Sequence, residues 1–266
     1  STWQSLYKLP KEYFEQFDID TSRVLHTPIT DVEELKFDLV SQLEEVERKE
    51  KVVIIIDSIG NLASKKELED AKSGKSVADM SRAKALKGLF RMITPYLTMR
   101  DIPMMAVNHT YKEIGLFPKD VVSGGTGIYY SADNIWIVGR RQNKAGTGEI
   151  EGYDFIINIE KSRFLREKSK IPIKVEFNGG ISEYSGLLDI ALASGDIVKP
   201  SNGWYQRVDK TTGELIGSKM REKQTREKDL WESIFKDTDF KEFVKKSYKL
   251  GYADNISEID LTIDEE

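Results

Sequence analysis

The sequence predicts an α/β protein in which helices flank a twisted, mostly parallel sheet. Two continuous apolar runs indicate strands that are buried on both faces, VVIIID at residues 52–57 and IPMMAVNH at residues 102–109. Amphipathic helices are predicted ahead of each run, at residues 32–48 and 79–99, from apolar side chains at helical spacing. From residue 152 onwards apolar and polar residues alternate, which indicates an antiparallel extension of the sheet.

The remaining elements follow from periodicity and turn residues, in chain order. The amino-terminal region is predicted to hold a helix at residues 8–17 and a short strand at residues 23–28 that ends at Pro28. Polar, glycine-containing stretches at residues 63–78 and 110–123 are predicted loops. Further along we expect a glycine turn with a short helix and a strand at 124–141, strands at 152–164 and 170–181, a helix at 184–194, a hairpin at 203–217 and two amphipathic helices within 228–250.

This order of elements divides the chain into three parts. Residues 1–200 are predicted to form the core, residues 201–254 a small carboxyl-terminal helical element, and residues 255–266 an acidic tail. The tail contains no aromatic residue, which is typical of a solvated segment. A chain of 266 residues with 39% apolar content can bury one sizeable core and a small appended element.

Composition and charge exclude several classes of function. The sequence holds no apolar run of about 18 residues, and its first residues lack the cationic and apolar segments of a signal peptide. We therefore expect a soluble, cytoplasmic protein that does not bind membranes. The absence of cysteine excludes disulfides, and the two histidines are too few for a transition-metal site. Because the net charge is −5, any binding of nucleic acid must come from a local basic patch.

A Gly-Lys-Ser triplet at Gly74, Lys75 and Ser76 resembles the end of a phosphate-binding P-loop. That motif requires G-x-x-x-x-G-K-[ST], since its first glycine makes the turn that brings backbone amides to the phosphates. The position of the first glycine is occupied here by Glu69, whose carboxylate would repel phosphate. The triplet also follows the strand that ends at Asp57 instead of preceding it. We therefore interpret this segment as a loop and not as a P-loop.

The apolar run that ends at Asp57 and Ser58 has the pattern of a Walker B motif. In that motif a buried strand delivers a carboxylate that organises Mg²⁺ and its waters. The alternative is that Asp57 only caps the turn after a buried strand, which is common for aspartate at strand ends. The surrounding motifs are needed to decide between the two interpretations.

Six segments of the sequence occur in an order that a known family shares. They are VVIIIDSIGNLASKKELED, MSRAKALKGLFR, IPMMAVNHTY, SGGTGIYYSADNIWIVGRR, IEKSRFLREKSK and GLLDIALASGDIVKPSNGWY. Together they resemble the RecA-family strand-exchange recombinases, and in particular those of phages, over residues 12–252. The resemblance implies a RecA-like fold of the P-loop ATPase type.

The same resemblance implies a function. Members of this family are ATP-dependent recombinases that form helical filaments on single-stranded DNA and promote homologous pairing and strand exchange in recombination and repair. The implied cofactors are ATP and Mg²⁺. The implied partners are single- and double-stranded DNA, further copies of the chain, and single-strand-binding and mediator proteins. The implied location is the cytoplasm of a phage-infected bacterium.

Four residues match nucleotide-binding positions of the family. Asp57 corresponds to the metal-binding Walker B acid, with Ser58 beside it. Tyr13 occupies the place of the aromatic residue that stacks on adenine, although it could equally pack on a helix face. His109 ends its strand where the family carries a polar residue that senses the γ-phosphate, the alternative being a structural histidine.

The two predicted loops resemble the DNA-binding loops of the family. Such loops need lysines and backbone amides for phosphates and apolar side chains, here Phe117 or Ile114, that can insert between bases. Arg82 and Arg91, on the helix after the first loop, could hold the DNA backbone. For each single lysine the alternative is an ordinary solvated position. The candidate DNA-contacting residues are Lys72, Lys75, Arg82, Arg91, Lys112, Phe117, Lys119, Gly124 and Gly125.

Lys161 and Arg163 match a pair of cations that, in bacterial relatives, reach the γ-phosphate bound by the neighbouring subunit. Charge that develops on the phosphates is then stabilised only when a second subunit docks. The alternative is a basic cluster at a strand end that pairs with Glu160 and Glu167.

The sequence departs from the family pattern in one respect. G-x-x-x-x-G-K-[ST] occurs nowhere in the chain, and residues 1–6 hold no counterpart of the acid that orients the attacking water. The chain thus looks like the carboxyl-terminal part of a recombinase, or a relative that lost its first strands, and by itself should be a poor ATPase. Two alternatives stay open, a catalytically incomplete DNA- or partner-binding module and a ring-type helicase ATPase.

Overall fold

The computed structural model describes most of the chain and has an α/β fold. The described residues form two compact units, Ser1–Ala132 and Asp133–Glu266, which we call unit 1 and unit 2. No helix among these residues is long and apolar enough to cross a membrane. The described residues are 14–15, 17–47, 50–74, 80–113, 120–144, 148–177, 180–181 and 183–249.

The first two helices of unit 1 begin after residues whose side chains accept hydrogen bonds from the first turn. Asp31 accepts a 2.8 Å bond from the Glu34 amide, and Ser64 forms a capping box with Glu67. A 3-10 turn at Thr21–Arg23 precedes these helices, and a second one, Ile59–Asn61, lies between the first two. The helices are α1 (Val32–Glu45), α2 (Lys65–Lys72), α3 (Met80–Arg100) and α4 (Thr126–Ser131).

Two small sheets form within the part of unit 1 that the structure describes. Strands β1 (Ile54–Ile56) and β2 (Met104–Ala106) are parallel, with Ile56 opposite Ala106. Strands β3 (Thr110–Lys112) and β4 (Asp120–Val122) form an antiparallel pair. The core of the unit lies between α1, α3 and the turn after β1, and its fully buried side chains include Val32, Leu43, Ile59, Leu86, Leu89 and Ile93.

The described residues of unit 2 form two antiparallel sheets and three α-helices. The larger sheet runs in sequence order through β5 (Asn134–Lys144), β6 (Ile150–Ser162), β7 (Lys170–Glu176) and β8 (Gly180–Ile181). The smaller sheet has the order β11 (Leu215–Met220), β10 (Trp204–Val208) and β9 (Ile197–Ser201). The helices are α5 (Leu187–Ser194), α6 (Lys228–Asp237) and α7 (Phe240–Tyr248), and a 3-10 turn, Glu222–Arg226, precedes α6.

An aromatic cluster forms the core between the helices and the smaller sheet of unit 2. Trp231 is fully buried, stacks on Tyr184 at a ring distance of 6.2 Å, and donates a 2.7 Å hydrogen bond from Nε1 to the Thr225 carbonyl. Phe235 and Phe240 pack against the same indole ring. Because its N–H group is hydrogen-bonded, the indole can be buried without leaving an unpaired polar group.

The structure differs from the sequence-based prediction at two elements and leaves two other predictions open. Residues 23–28 form no strand, and α2 occupies much of the predicted loop at 63–78, because the Ser64 capping box starts a helix there. Among the described strands parallel pairing is limited to β1 and β2, and the larger sheets are antiparallel, since their successive strands are joined by short connections. A mostly parallel sheet therefore stays a prediction, as does the division at residues 200 and 254.

Phe240→Ala should lower the free energy of unfolding of unit 2 by about 3–5 kcal/mol, because removing a buried ring leaves a cavity. Phe240 is 1% exposed, and its ring lies 5.9 Å from the rings of Trp231 and Phe235. The matched control is Phe164→Ala, since Phe164 in the same unit is 62% exposed and should cost less than about 1 kcal/mol. Urea unfolding followed by tryptophan fluorescence measures both, and equal losses would contradict the assigned core.

Acid should destabilise unit 2 through Glu222. Burial raises the pKa of Glu222, but hydrogen bonds and charges from Lys174 (3.0 Å) and Arg226 (3.2 Å) offset that effect and hold the pKa below its usual value of 4.5. A carboxylate with a lowered folded-state pKa stabilises the fold above its unfolded-state pKa, and this contribution disappears as the pH falls through the folded-state value.

The corresponding measurement is urea unfolding of Lys174→Met between about pH 5 and pH 3. The variant should lose less stability over that interval than the parent chain, because the folded-state pKa of Glu222 returns towards its ordinary value. Lys199→Met, at an exposed lysine of the smaller sheet, should keep the parental pH dependence. Parallel curves for Lys174→Met and the parent would rule out this origin of the acid sensitivity.

Candidate nucleotide and nucleic-acid site

The parallel pairing of β1 and β2 brings their carboxyl ends to one edge of the sheet. The pairing continues past the strands, because the Val107 amide donates to the Ile56 carbonyl (2.9 Å) and the Ile59 amide donates to the Val107 carbonyl (3.0 Å). Asp57 follows β1 and His109 follows β2, so the structure brings the two predicted residues to the same edge. Polar side chains at the carboxyl ends of parallel strands are the usual place for ligand binding in α/β proteins.

Asp57 presents an exposed carboxylate directly after its strand, and Ser58 beside it is half-buried. The peptide bond between the two residues is cis. Among the described residues no group of three or more His, Asp or Glu side chains could form a protein-only metal site. A single strand-end carboxylate fits Mg²⁺, which is commonly held by one or two carboxylates, waters and phosphate oxygens.

His109 lies over the turn that follows Asp57. Its Nε2 is 3.1 Å from Asn61 Oδ1, and because that oxygen only accepts, Nε2 is assigned as the donor. The imidazole packs so closely on Gly60 that a Cβ there would lie 2.2 Å from His109 Cδ2. Only glycine therefore allows the ring this position, and the exposed histidine remains open to a ligand at the strand ends.

The base of the second predicted DNA loop is bonded to the same strand end. The Ser123 amide donates to the His109 carbonyl (3.0 Å), and Asn108 Nδ2 donates to the Ser123 carbonyl (2.7 Å). Lys112 of β3 forms a 2.9 Å ion pair with Asp120 of β4. The predicted loop thus begins and ends as a paired hairpin, whose ends are fixed relative to His109.

Gly124 and Gly125 end this hairpin and pack against α3. Both have positive φ angles, 96° and 80°. A Cβ on Gly124 would lie 2.9 Å from Leu86 Cδ1, and one on Gly125 would lie 3.3 Å from the Ala83 Cβ. The two glycines therefore satisfy a backbone and packing requirement here; their predicted contact with DNA stays a prediction.

Arg82 lies inside unit 1, with 7% of its surface exposed. The sequence offers one signal for this burial, since Arg82 shares a helix face with Leu86, Leu89 and Ile93. Its guanidinium is held by four acceptors. These are the carbonyls of Leu62 (2.7 Å), Ile59 (2.9 Å) and Gly60 (3.2 Å) and the hydroxyl of Ser123 (3.3 Å).

The other candidate cations of unit 1 differ from Arg82 in exposure. Arg91 is exposed on the opposite side of α3, and Lys72 is exposed at the end of α2. Both side chains are therefore accessible to solvent. The remaining candidates in this region, Tyr13, Lys75, Phe117, Lys119 and Ile114, lie outside the described residues.

In unit 2, Lys161 lies at the end of β6 and Arg163 directly follows the strand. Arg163 Nε forms a 2.9 Å ion pair with Asp133 Oδ1, and the two side chains are 63% and 60% exposed. The Ser162 hydroxyl accepts bonds from the amides of Phe164 and Leu165 and so fixes the turn around Arg163. Sequence reasoning offered Glu160 and Glu167 as partners and missed Asp133, because strand pairing between β5 and β6 is what brings it close.

Comparison with known proteins identifies the family of the chain. The family described as "Bacteriophage T4, Recombination and repair protein, C-terminal domain" matches residues 184–244. The chain is 47% identical over 270 residues to the "Recombination and repair protein" of Enterobacteria phage T4, covering 99% of this chain and 68% of that protein.

More distant relatives carry the RecA name. "Protein RecA" of Mycoplasma mycoides subsp. mycoides SC is 24% identical over 210 residues, which cover 78% of this chain and 59% of that protein. The "Mitochondrial DNA repair protein recA homolog" of Dictyostelium discoideum is 27% identical over 165 residues, covering 58% of this chain and 34% of that protein. The chain thus belongs to the RecA family of DNA recombination and repair proteins, in the branch that includes the phage T4 recombination and repair protein.

Proposed function

We propose that this chain acts in an ATP-dependent DNA recombinase that forms filaments on single-stranded DNA and promotes homologous pairing and strand exchange. The observation that supports this most strongly is the 47% identity to the phage T4 recombination and repair protein over 99% of the chain. We further infer that β1 and β2 belong to a larger, mostly parallel sheet of the RecA type, and that double-stranded DNA, single-strand-binding proteins and mediator proteins are partners in a phage-infected bacterial cytoplasm.

The edge at Asp57 and His109 is where we place the nucleotide phosphates. Mg²⁺ would supply charge neutralisation on the phosphate oxygens. Asp57 would orient its water ligands, with Ser58 beside it, and Tyr13 would stack on adenine. His109 is suited to detect a phosphate, because its ring already bonds Asn61 on the turn after Asp57 and its backbone already bonds Ser123.

The DNA backbone would bind along the loops that leave this edge. Lys72 and Lys112 are exposed cations at described positions of the two loop regions, and Arg91 adds charge on α3. Their contribution would be electrostatic and independent of sequence, as is usual for phosphate contacts. Lys112 already pairs with Asp120, so part of its charge is neutralised before DNA arrives.

Lys161 and Arg163 would act on the nucleotide of a neighbouring subunit. The ion pair between Arg163 and Asp133 is exposed, and such pairs stabilise a protein by only about 0–1 kcal/mol. Arg163 could therefore readily leave Asp133 for another anion. A bound triphosphate carries more negative charge than one carboxylate, so the guanidinium would transfer to it when subunits meet. ATP would then stabilise contacts between subunits of the filament as well as being hydrolysed by it.

One alternative function is favoured by a specific observation. The 266 residues contain no G-x-x-x-x-G-K-[ST], so a binding module that contacts DNA without hydrolysing ATP is consistent with this sequence taken alone. A ring-type helicase is less well supported, since the relatives described above are recombination, repair or RecA proteins.

Residues 1–266 alone should show no saturable ATP binding, because Asp57 can hold Mg²⁺ but no P-loop cradles the phosphates. Isothermal titration with MgATP measures this directly. Any weak heat should disappear equally in Asp57→Asn and in EDTA if it arises at the strand edge. A micromolar Kd for the parent chain would contradict the expectation and would point to a different phosphate site.

The double substitution Lys72→Gln, Lys112→Gln should weaken binding of a fluorescent oligo(dT), because two phosphate contacts are lost. The slope of log K against log salt concentration should become shallower by about 0.7 for each lost contact. Fluorescence anisotropy from low to high salt measures both quantities. Salt-independent binding by the parent chain would refute the assignment of the loops.

Two further variants serve as controls for the DNA measurement. Lys51→Gln removes an exposed charge that precedes β1, at the opposite end of the strand from Asp57. It should leave the DNA affinity and the salt slope unchanged. Asp120→Asn should act in the opposite direction and raise the affinity, since it releases Lys112 from its ion pair. A loss of affinity in Asp120→Asn equal to that of the lysine variants would indicate general damage to the hairpin.

A further inference from the structure

The buried guanidinium of Arg82 joins two segments that are distant in sequence. On one side it donates to carbonyls of residues 59–62, the turn after Asp57; on the other it donates to Ser123, at the end of the second loop region. A buried charge is costly unless its donors are satisfied, so the guanidinium holds both segments where they can accept its bonds.

His109 links the same two segments from a different direction. Its ring packs on Gly60 and bonds Asn61, while its carbonyl accepts the Ser123 amide. Arg82 and His109 therefore make two separate connections between the turn 59–62 and Ser123. A displacement of the turn must break bonds to Arg82 or carry Ser123 with it, because interiors of this kind respond as packed units.

A hydrogen bond next to Arg82 holds the start of α3 against the start of α2. Ser81, the preceding residue, shares a 2.9 Å hydrogen bond with Ser64, the fully buried capping residue of α2. Arg82 thus moves with the beginnings of α2 and α3, and α2 carries Lys72 at its other end. The guanidinium bonds the turn that precedes α2 and Ser123 at the end of the second loop region.

We propose that Arg82 is a positioning residue that couples the polar edge at Asp57 and His109 to Ser123 and the second DNA loop. This proposal rests on the proposed function. If the strand edge binds nucleotide and the loops bind DNA, Arg82 links the two sites. The proposal assigns Arg82 a role beneath the loops and not on the DNA itself. A planar fork with donors on three nitrogens can bond four acceptors at once, whereas a lysine ammonium cannot span them.

The test compares Arg82→Met with Arg100→Met. Arg100 is a matched control, because it lies on the same helix and also donates to two backbone carbonyls, those of Leu43 and Val46, at the far end of α3. Thermal unfolding measures the general loss of stability in both variants. Two local readouts measure the coupling, the NMR signal of the His109 imidazole and the hydrogen exchange of the Ser123 amide.

The sequence suits this experiment, because it contains only two histidines and His26 supplies an internal reference signal. Arg82→Met should shift the His109 signal and speed exchange at Ser123 by about tenfold or more relative to Arg100→Met. Equal melting losses in both variants with an unmoved His109 signal and unchanged Ser123 exchange would overturn the proposal, and Arg82 would be structural only.

Milder variants keep the test decisive if Arg82→Met does not fold. Ser123→Ala removes one acceptor and should shift the His109 signal in the same direction but less. Arg82→Lys retains the charge, but its His109 signal and Ser123 exchange should still differ from those of the parent chain. Parental values for both would show that charge alone suffices and would overturn the positioning role.

The DNA arm separates this proposal from the proposed function. Adding oligo(dT) to the parent chain should shift the His109 signal, and Arg82→Met should remove that shift at saturating DNA. An unshifted His109 signal in a saturated parent chain would overturn the coupling to DNA. A parent chain that binds no DNA would count against the proposed function, whereas the coupling between His109 and Ser123 is measured in the absence of DNA.

Discussion

The need to satisfy one buried guanidinium organises unit 1. Arg82 can be 7% exposed only because three carbonyls and a hydroxyl surround it, and those acceptors come from the turn after Asp57 and from Ser123. Removing any of these segments would leave a buried charge with unpaired donors. The parallel pairing of β1 and β2 then fixes the other side of the same turn, so the strand edge is held by backbone on one face and by a side chain on the other.

The elements that the sequence predicts well are those whose signal is local. The apolar runs led to β1 and β2, and the alternating segments led to the antiparallel strands β6 and β7 of unit 2. The helix α2 was missed, because the charged, polar composition of residues 63–78 outweighed a capping box at Ser64 and Glu67 that is visible in the sequence. Parallel pairing is harder to predict, since it depends on partners that are remote in the chain.

The candidate site shows the same division between local and non-local information. Asp57 could be named in advance because it directly follows an apolar run, and His109 because it ends the next strand at a position that the family resemblance marks. The acceptors of the Arg82 guanidinium, the pair of Arg163 with Asp133 and the contact of Gly60 with His109 could not, since each joins residues that only the fold brings together. A motif thus identifies which residues carry charge, and the fold determines whether a charged group bonds other groups of the protein or is exposed to a ligand.

Exposure explains how a chain with a net charge of −5 can present a basic surface. Helix α3 contains five cations and no acid, yet they divide by position: Arg82 and Arg100 bond backbone carbonyls, whereas Lys84, Lys87 and Arg91 are exposed. The two arginines that bond carbonyls hold neighbouring backbone segments in place, while the three exposed cations lie on one face of the helix. Net charge averages over the acidic remainder of the molecule, so it is the distribution of exposed cations that determines where a polyanion can bind.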